Sequence, residues 1–477
     1  MKIAEENLAR LFERALGKKA GSVNRLPVSG SCRNYFRITA GTDSCIGVYH
    51  DDPEENRAFL SFTRTFLKLG LPVPGILGED PERHCYLLTD LGDITLFRHL
   101  VSMRKDKVAF PAEIIPLYRK ALKTLPGFQV LAADRIDYRH CLPRSTFDRQ
   151  SMRWDLNYFK YYFLKLAKIP FHEQALEKDF TALTSFLLQA PSGFFMYRDF
   201  QSRNIMLHRD QLLFIDYQGG RRGALPYDVA SLLYDAKADL PEEVRSGLLN
   251  YYLDQLETYL PGQRESFLRF YPGFVLIRIL QALGAYGFRG YYERKSHFLL
   301  SIPFALRNLR ILEDRWNDLA GVPRLKALWT AISRMQVAWE SLPADPASTG
   351  LTVTISSFSF HGDFPVDLSG HGGGYVFDCR SLPNPGRNEE FQHLTGKDPA
   401  VISFLEKEPE VSDFLQHVYE LVGQSVRTYL KREFTHLWVA FGCTGGRHRS
   451  VYCAEMLAGY LSTCYNVKTR LTHHTLG

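Results

Sequence analysis

Three polar residues in FFMYRDFQSRNIMLHRDQLLFIDYQGG (194–220) have the types and spacing that phosphoryl transfer requires. Asp199 follows a hydrophobic run and precedes Asn204 by five residues, and Asp216 ends the next apolar run, LLFIDY. In such chemistry one carboxylate orients an attacking hydroxyl and accepts its proton, while a carboxylate and an amide hold magnesium against nucleotide phosphates. Either aspartate alone reads equally well as a turn residue at a strand end. The joint pattern D-x-x-x-x-N, apolar strand, then I-D is far more restrictive. Asp199 is therefore the candidate base, Asn204 and Asp216 are the candidate metal ligands, and ATP and Mg2+ are the expected cofactors.

A second constellation lies near the other end, in HLWVAFGCTGGRHRSVYCAEMLAGYL (436–461). It reads as a strand, a glycine-rich turn and a helix. Cys443, Thr444, Gly445, Gly446, Arg447, His448 and Arg449, followed by Ser450, fit C-x-x-G-x-x-R-S. Successive N–H groups at a helix N-terminus favour an anion, and the basic residues add charge. The plainer alternative is an ordinary strand–helix connection with exposed basic side chains. The spacing also matches cysteine-dependent phosphatases, in which a thiolate attacks phosphorus. Asp363, Asp367 and Asp378 are candidates for the acid, but Gly442 stands where those enzymes carry His. Anion binding is the better supported of these chemistries.

The elements that must carry these residues divide in two. A chain of 477 residues exceeds one ordinary core, so two or three domains are expected. Residues 1–20 read as a helix, and short strands follow near 23–28, 34–39 and 45–50, punctuated by Gly30 and Gly41. A helix over 54–69, a strand in CYLLTDLG (85–92), mostly helix over 93–190 and long helical periods over 226–315 complete a small β-rich lobe and a larger helical one. PRLKALWTAISRMQVAWESL (323–342) is a further helix, and LPADPASTG (342–350) is a linker by composition. Beyond it LTVTISSFSF, YVFDCR and HLWVAFG read as strands with helices between, an α/β grammar. Domains are thus expected at 1–322 and 351–477, with 323–350 between them.

Bulk properties narrow the class. Hydrophobic content of 45% and charged content of 23% are those of a globular protein. A net charge of +6 suits anionic ligands without arguing for nucleic acid. Eight scattered cysteines form no C-x-x-C pair. The amphipathic start MKIAEENLARLFERALGKK lacks the apolar run of a signal peptide, and Arg278 interrupts VLIRILQALGAYGF. No membrane association and a reducing, cytoplasmic setting are expected.

YRDFQSRN resembles the H-x-D-x-x-x-x-N catalytic loop of the aminoglycoside phosphotransferase and choline kinase family, with IDYQ at the metal-binding Asp and LPYDVASLLYDA (225–236) at the following helix. SGSCRNYFRI (29–38), LPVPGIL (71–77) and YLLTDLGD (86–93) are most similar to the anomeric kinases for N-acetylmuramate and N-acetylglucosamine. The resemblance spans about residues 10–320. It implies that Gly30 and Ser31 cover the phosphates, that Leu88, Asp90 and Leu91 belong to the hinge at the adenine, and that Asp228 braces the catalytic loop. A helix N-cap is an equally good reading of Asp228. Tyr197 replaces the usual His, and the third strand, CIGVYHDDPEEN, carries no Lys for the α- and β-phosphates. His50, Arg33 and Arg37 are the basic residues near enough to serve. Gln218 and Arg222, just past Asp216, are candidates to touch the acceptor. The Tyr-rich RWDLNYFKYYFLK (153–165) reads as core before it reads as a sugar pocket.

SFHGDFPVD, YVFDCRSLPNPG, LTGKDPAVISFLE and GCTGGRHRSVYCAE resemble the C-terminal domain of the RNase adapter protein RapZ, over about 353–475. That resemblance implies an amino-sugar phosphate held by Cys443 to Arg449, with His361, Asp378 and Arg380 nearby. RapZ proteins carry an N-terminal P-loop domain, and this chain has no G-x-x-x-x-G-K-S/T. Dense Lys/Arg is confined to KTR (468–470) and RHR (447–449), which weighs against RNA as a partner. His473 and His474 read as tail residues. The whole points to an α+β protein-kinase-like bilobal domain followed by a smaller α/β domain. The expected function is ATP-dependent phosphorylation of the anomeric hydroxyl of an N-acetyl amino sugar in cell-wall recycling, with a C-terminal sugar-phosphate-binding regulatory domain. The alternative is a non-catalytic nucleotide-binding adapter that binds RNA or protein.

Overall fold

A computed structural model describes residues 2–26, 33–104, 110–293, 296–316, 319, 321–362, 364–367, 373–432, 434–465 and 467–476, except 341–349. The chain divides into two compact units. The first is Met1–Ala285 with Pro303–Gln336, and the second is Tyr286–Ile302 with Val337–Gly477.

The first unit begins with helix α1 (Lys2–Leu16) and an antiparallel sheet of β1 (Ser22–Arg25), β2 (Asn34–Ala40), β3 (Asp43–Tyr49), β4 (Ile76–Asp80) and β5 (Cys85–Thr89), in the order β1-β2-β3-β5-β4. Period-two alternation divides the sheet into two faces. Phe36, Ile38, Cys45, Cys85 and Leu87 turn to one side and bury Leu8, Leu11 and Phe12 of α1. Tyr35, Arg37 and Leu88 turn to the other. Helix α2 (Pro53–Lys68) is started by Asp52, whose carboxylate accepts from Glu54 N and Glu55 N at 2.9 and 3.0 Å. Its Phe59 stacks on Tyr86 of the sheet and on Tyr217 of the larger lobe, at 5.4 and 5.0 Å.

The larger lobe is built of α3 (Leu96–Arg104), α4 (Ile115–Pro126), α5 (Arg149–Phe159), α6 (Glu173–Leu187), α7 (Pro226–Leu233), α8 (Glu242–Glu257), α9 (Arg264–Gly287), α10 (Ile302–Trp316) and α11 (Lys326–Glu340). Two small antiparallel ladders lie among them, β6 (Phe194–Met196) with β9 (Arg221–Gly223) and β7 (Ile205–His208) with β8 (Gln211–Phe214). β8 is shorter than the apolar run suggests. Ile215 N bonds to Asn204 O at 3.0 Å and Asp216 takes a left-handed φ of 70°, so the chain leaves the ladder after Phe214. The segment Arg264–Tyr292 is long and apolar enough to cross a membrane by composition, yet 72% of its apolar window is buried within the protein. Helix α11 packs on this lobe: Leu328 N donates to Asp179 at 2.9 Å and Trp329 meets Trp316 edge-on at 5.6 Å. Most of the linker, 341–349, lies outside the described residues.

The second unit centres on a parallel sheet of β10 (Thr352–Ser359), β11 (Gly374–Asp378), β12 (His436–Cys443) and β13 (Lys468–His473), ordered β11-β12-β10-β13. Its central strands are covered on both sides and therefore read as apolar runs. Val353, Ile355, Val439 and Phe441 share a core with Val418 and Val422 of α13 (Pro409–Lys431) and Leu457 of α14 (Arg449–Cys464), while α12 (Pro399–Glu406) adds Val401 and Leu405. The architecture is an α+β protein-kinase-like bilobal domain followed by a smaller α/β domain.

Candidate active site

The loop after β6 is held by one buried carboxylate. Asp228, in the first turn of α7, accepts from Tyr197 N through Oδ2 and from Arg198 N through Oδ1, each at 2.9 Å. Gln129 Nε2 also donates to Oδ2 at 3.0 Å, and Tyr252 OH fixes Gln129 Oε1 at 2.6 Å. Burial pushes the Asp228 carboxyl up to about 7, against the pull of these donors. α7 has no side-chain cap, so Asp228 is the brace and not the N-cap. The brace has strain to hold. Arg198 is left-handed at φ 74°, and its guanidinium is clamped by Asp155 at 2.7 and 3.3 Å. Tyr197 is fully buried, and its OH donates to Ile215 O at 2.7 Å.

This frame brings the expected trio together. Asn204 Nδ2 donates to Asp199 O at 2.9 Å and to Asp216 Oδ2 at 3.2 Å, and Gln218 Nε2 donates to Asp216 Oδ1 at 2.6 Å. Gly219 passes beside Asp199, where a Cβ would stand 3.8 Å from Oδ2. Burial raises the Asp216 carboxyl, and the charge of Asp199 raises it further. Two carboxylates and an amide with surplus negative charge suit a hard divalent cation that keeps waters or phosphate oxygens as its remaining ligands. No cluster of three or more His, Cys, Asp or Glu stands together among the described residues.

The sheet lobe carries the other expected residues. Gly30 and Ser31, expected over the phosphates, lie outside the described residues. Leu88 of β5, opposite Ile46 of β3, and Leu91 are buried. Asp90 binds Arg37 at 2.7 and 3.1 Å and Gly92 N at 2.9 Å; these donors outweigh its burial and lower its carboxyl. Arg37 bonds Asp93 as well, at 3.0 and 3.1 Å. Arg33 pairs with Glu55 at 3.0 Å, and His50 Nε2 is 3.7 Å from the same carboxylate. Gln218 serves Asp216. Arg222 lies over the Tyr138 ring at 4.1 Å and donates to Gly193 O at 3.2 Å. Glu55, Asp155, Gln129 and Tyr252 were not visible as site residues in the sequence. Each reaches the site from a distant element, and only Glu55, at the start of a helix after the third strand, had a positional signal.

In the second unit Cys443 ends β12, buried, with Sγ 3.1 Å from Ser450 Oγ. Thr444, Gly445 and Arg447 are exposed, and Thr444 O accepts from Ser359 Oγ at 2.6 Å. Gly446 is left-handed, and a Cβ there would stand 2.9 Å from Ser359 N. His448 Nε2 bonds Phe391 O at 2.9 Å. Arg449 is buried, and its Nη1 donates to Arg380 O and Leu382 O, each at 2.9 Å. The loop thus offers exposed backbone at the start of α14, while its innermost guanidinium is tied to carbonyls. Asp378 and Arg380 form an exposed pair at 2.7 Å, with Arg380 over Phe360 at 4.0 Å. His361 is exposed, Asp367 is described and Asp363 lies outside the described residues. His473 belongs to β13 and joins Ser357 Oγ at 2.8 Å to Glu455 Oε1 at 3.1 Å. Ser357 is completely buried, so this relay is structural.

Residues 23–265 match the phosphotransferase enzyme family and residues 351–477 match the RapZ C-terminal domain. Among curated relatives, a nucleotide-binding protein of Azoarcus sp. (strain BH72) is 44% identical over 112 residues, 24% of this chain and 37% of that protein. The RNase adapter protein RapZ of Yersinia pestis bv. Antiqua is 41% identical over 127 residues, 26% of this chain and 42% of its own length. The chain thus spans less than half the length of these relatives. Among solved structures, the choline kinase LicA of Streptococcus pneumoniae aligns with a TM-score of 0.43 at 16% identity, over 65% of this chain and 99% of that one. A choline/ethanolamine kinase family protein of Mesorhizobium loti aligns with a TM-score of 0.43 at 12% identity, over 70% and 99%.

Proposed function

The chain belongs to the phosphotransferase enzyme family and carries a RapZ C-terminal domain, and from that premise we propose that it transfers the γ-phosphoryl group of ATP to the anomeric hydroxyl of an N-acetyl amino sugar. The observation that carries the reading is the half-buried Asp199–Asn204–Asp216 group, held on a strained turn by Asp228. In this reading Asp199 orients the acceptor hydroxyl and takes its proton. Asn204 and Asp216 hold magnesium, which when bound aligns the phosphate oxygens and offsets their charge. Gln218 keeps Asp216 oriented, and Leu88 and Leu91 lie along the adenine. The amino-sugar acceptor is supported by the resemblance of both halves to proteins of amino-sugar metabolism. Under the same reading the backbone N–H groups of Thr444 to Arg447 bind the phosphate of an amino-sugar phosphate and adjust flux.

Phosphotransfer is measured with ATP, magnesium and a panel of N-acetylhexosamines, choline and nucleosides. Turnover of an N-acetyl amino sugar, lost in Asp199→Ala, is the expected result. Turnover of choline or a nucleoside alone replaces the acceptor, and full activity in Asp199→Ala removes the mechanism.

A further inference from the structure

The third strand supplies no lysine, so the cation set against the nucleotide phosphates has to come from elsewhere in this lobe. Three basic side chains lie close enough by sequence, and the structure separates them. Arg37 is enclosed by Asp90 and Asp93, four hydrogen bonds in all, beside the hinge. His50 stands 3.7 Å from Glu55, too far for a strong charge-assisted bond. Arg33 differs from both. It immediately precedes β2, its side chain is only 1% exposed, and its Nη2 lies 3.0 Å from Glu55 Oε1 and 3.4 Å from Glu55 O. Its guanidinium lies over the Phe59 ring at 5.7 Å.

Two further neighbours fix where Arg33 belongs. Tyr35, on the sheet face turned away from α1, hydrogen bonds with it. The Phe59 ring under the Arg33 guanidinium stacks in turn, at 5.0 Å, on Tyr217, the residue next to Asp216. Arg33 therefore pairs with a carboxylate on the helix after β3 and is joined through Phe59 and Tyr217 to the turn that carries Asp216. Phosphotransferases of this architecture pair a third-strand lysine with such a carboxylate.

We infer that Arg33, held by Glu55, is the cation that contacts the nucleotide phosphates in place of a third-strand lysine. The inference rests on the phosphotransferase reading and specifies how that site grips its nucleotide. A planar fork can keep one edge on Glu55 and offer the other to phosphate oxygens, which a single ammonium does less well.

The test uses the full chain, with ATP and adenosine affinities measured by titration calorimetry in magnesium beside phosphotransfer rates. Arg33→Met is expected to weaken ATP about 10- to 100-fold, the range for losing a charge-assisted bond, and to leave adenosine within about twofold. Arg33→Lys falls between, and Glu55→Gln weakens ATP several-fold without changing adenosine. Equal ATP affinity in wild type and Arg33→Met overturns the inference, as does a wild type that binds ATP no better than adenosine. If Arg33→Met is unfolded by circular dichroism, Arg33→Gln decides, and unchanged ATP affinity there overturns the inference. Failure of the kinase reading looks different: wild type favours ATP over adenosine, Arg33→Met does not, and no acceptor is phosphorylated. Undiminished turnover in Arg33→Met removes Arg33 and leaves the kinase reading standing.

Discussion

Asp199 and Cys443 each follow a buried strand and open a polar loop, but the two loops treat charge in opposite ways. Around Asp199 the carboxylates keep one another company. Asn204 and Gln218 orient them, Arg33 offsets part of their charge, and burial still raises Asp216. Around Cys443 two of the basic side chains are turned to carbonyls of the protein. Arg449 is bonded to two carbonyls and His448 to a third, and what remains outward is Thr444, Gly445 and the Arg447 side chain at the start of α14. Surplus negative charge calls for a metal ion and allows a proton to be accepted. A ring of backbone donors can hold an anion but has no such partner. The difference argues for chemistry in the first unit and grip in the second.

The largest effect that would break this contrast is on turnover. Asp199→Ala should lower kcat by about 10²- to 10⁴-fold, the usual contribution of general base catalysis, while binding of a sugar phosphate to the second unit stays as in wild type. A Cys443→Ser variant that lost turnover as severely would place the chemistry in the wrong unit. Next comes the brace. The Asp228 carboxyl is raised to about 7 in the folded chain, against about 3.9 when unfolded. Between those values the folded state holds the extra proton, so its contribution to stability is full below about pH 4 and fades as pH rises through about 7. The slope is at most roughly 1.4 kcal/mol per pH unit. Asp228→Asn should remove it, so the Tm advantage of wild type over the variant should shrink from pH 4.5 to pH 7.5. An advantage that grows over that range would mean Asp228 is held charged.

What the sequence revealed, and what it hid, follows the same division. Asp199, Asn204 and Asp216 are separated by short runs, so local spacing reports their meeting. The left-handed turns at Arg198 and Asp216 leave no such trace, which is why the apolar run through Ile215 and Tyr217 reads as one strand although β8 ends at Phe214. Asp155, Gln129 and Tyr252 reach the catalytic loop only through packing of α5, the turn after α4 and α8. Arg33 and Glu55 come from either side of β2 and β3, and no pattern in CRNY or PEEN joins them. In the second unit the buried-strand runs announce a parallel sheet. The motif C-x-x-G-x-x-R-S makes Arg449 look like an anion contact, but only the folded neighbours, Arg380 O and Leu382 O, reveal its carbonyl partners.

A smaller effect tests the second loop directly. Arg449→Ala removes the donors of two carbonyls and should destabilise the second unit by about 2 kcal/mol, read as a lower urea midpoint for that transition. Phosphotransfer should be unchanged, because the first unit carries it. If Arg449 grips an anion instead, the variant would keep its midpoint and lose sugar-phosphate affinity.

The smallest effect concerns Tyr197, where related catalytic loops carry His. Its ring is packed edge-on to Phe128 and Tyr217, at 5.5 and 5.9 Å, and its OH donates to Ile215 O at 2.7 Å. That bond ties the turn before Asp199 to the turn before Asp216, so the hydroxyl holds two site segments in register without reaching the reacting atoms. Tyr197→Phe keeps the packing and leaves one carbonyl without its donor, which should cost about 1 kcal/mol. The corresponding fall in Tm is about 2 °C. Turnover should drop by less than tenfold, with most of the change in the magnesium concentration needed for half-maximal rate, since Asp216 is the residue that loosens. A loss of kcat comparable to that of Asp199→Ala would move Tyr197 from positioning into the chemistry, and the contrast between a reactive loop and the frame that holds it would have to be redrawn.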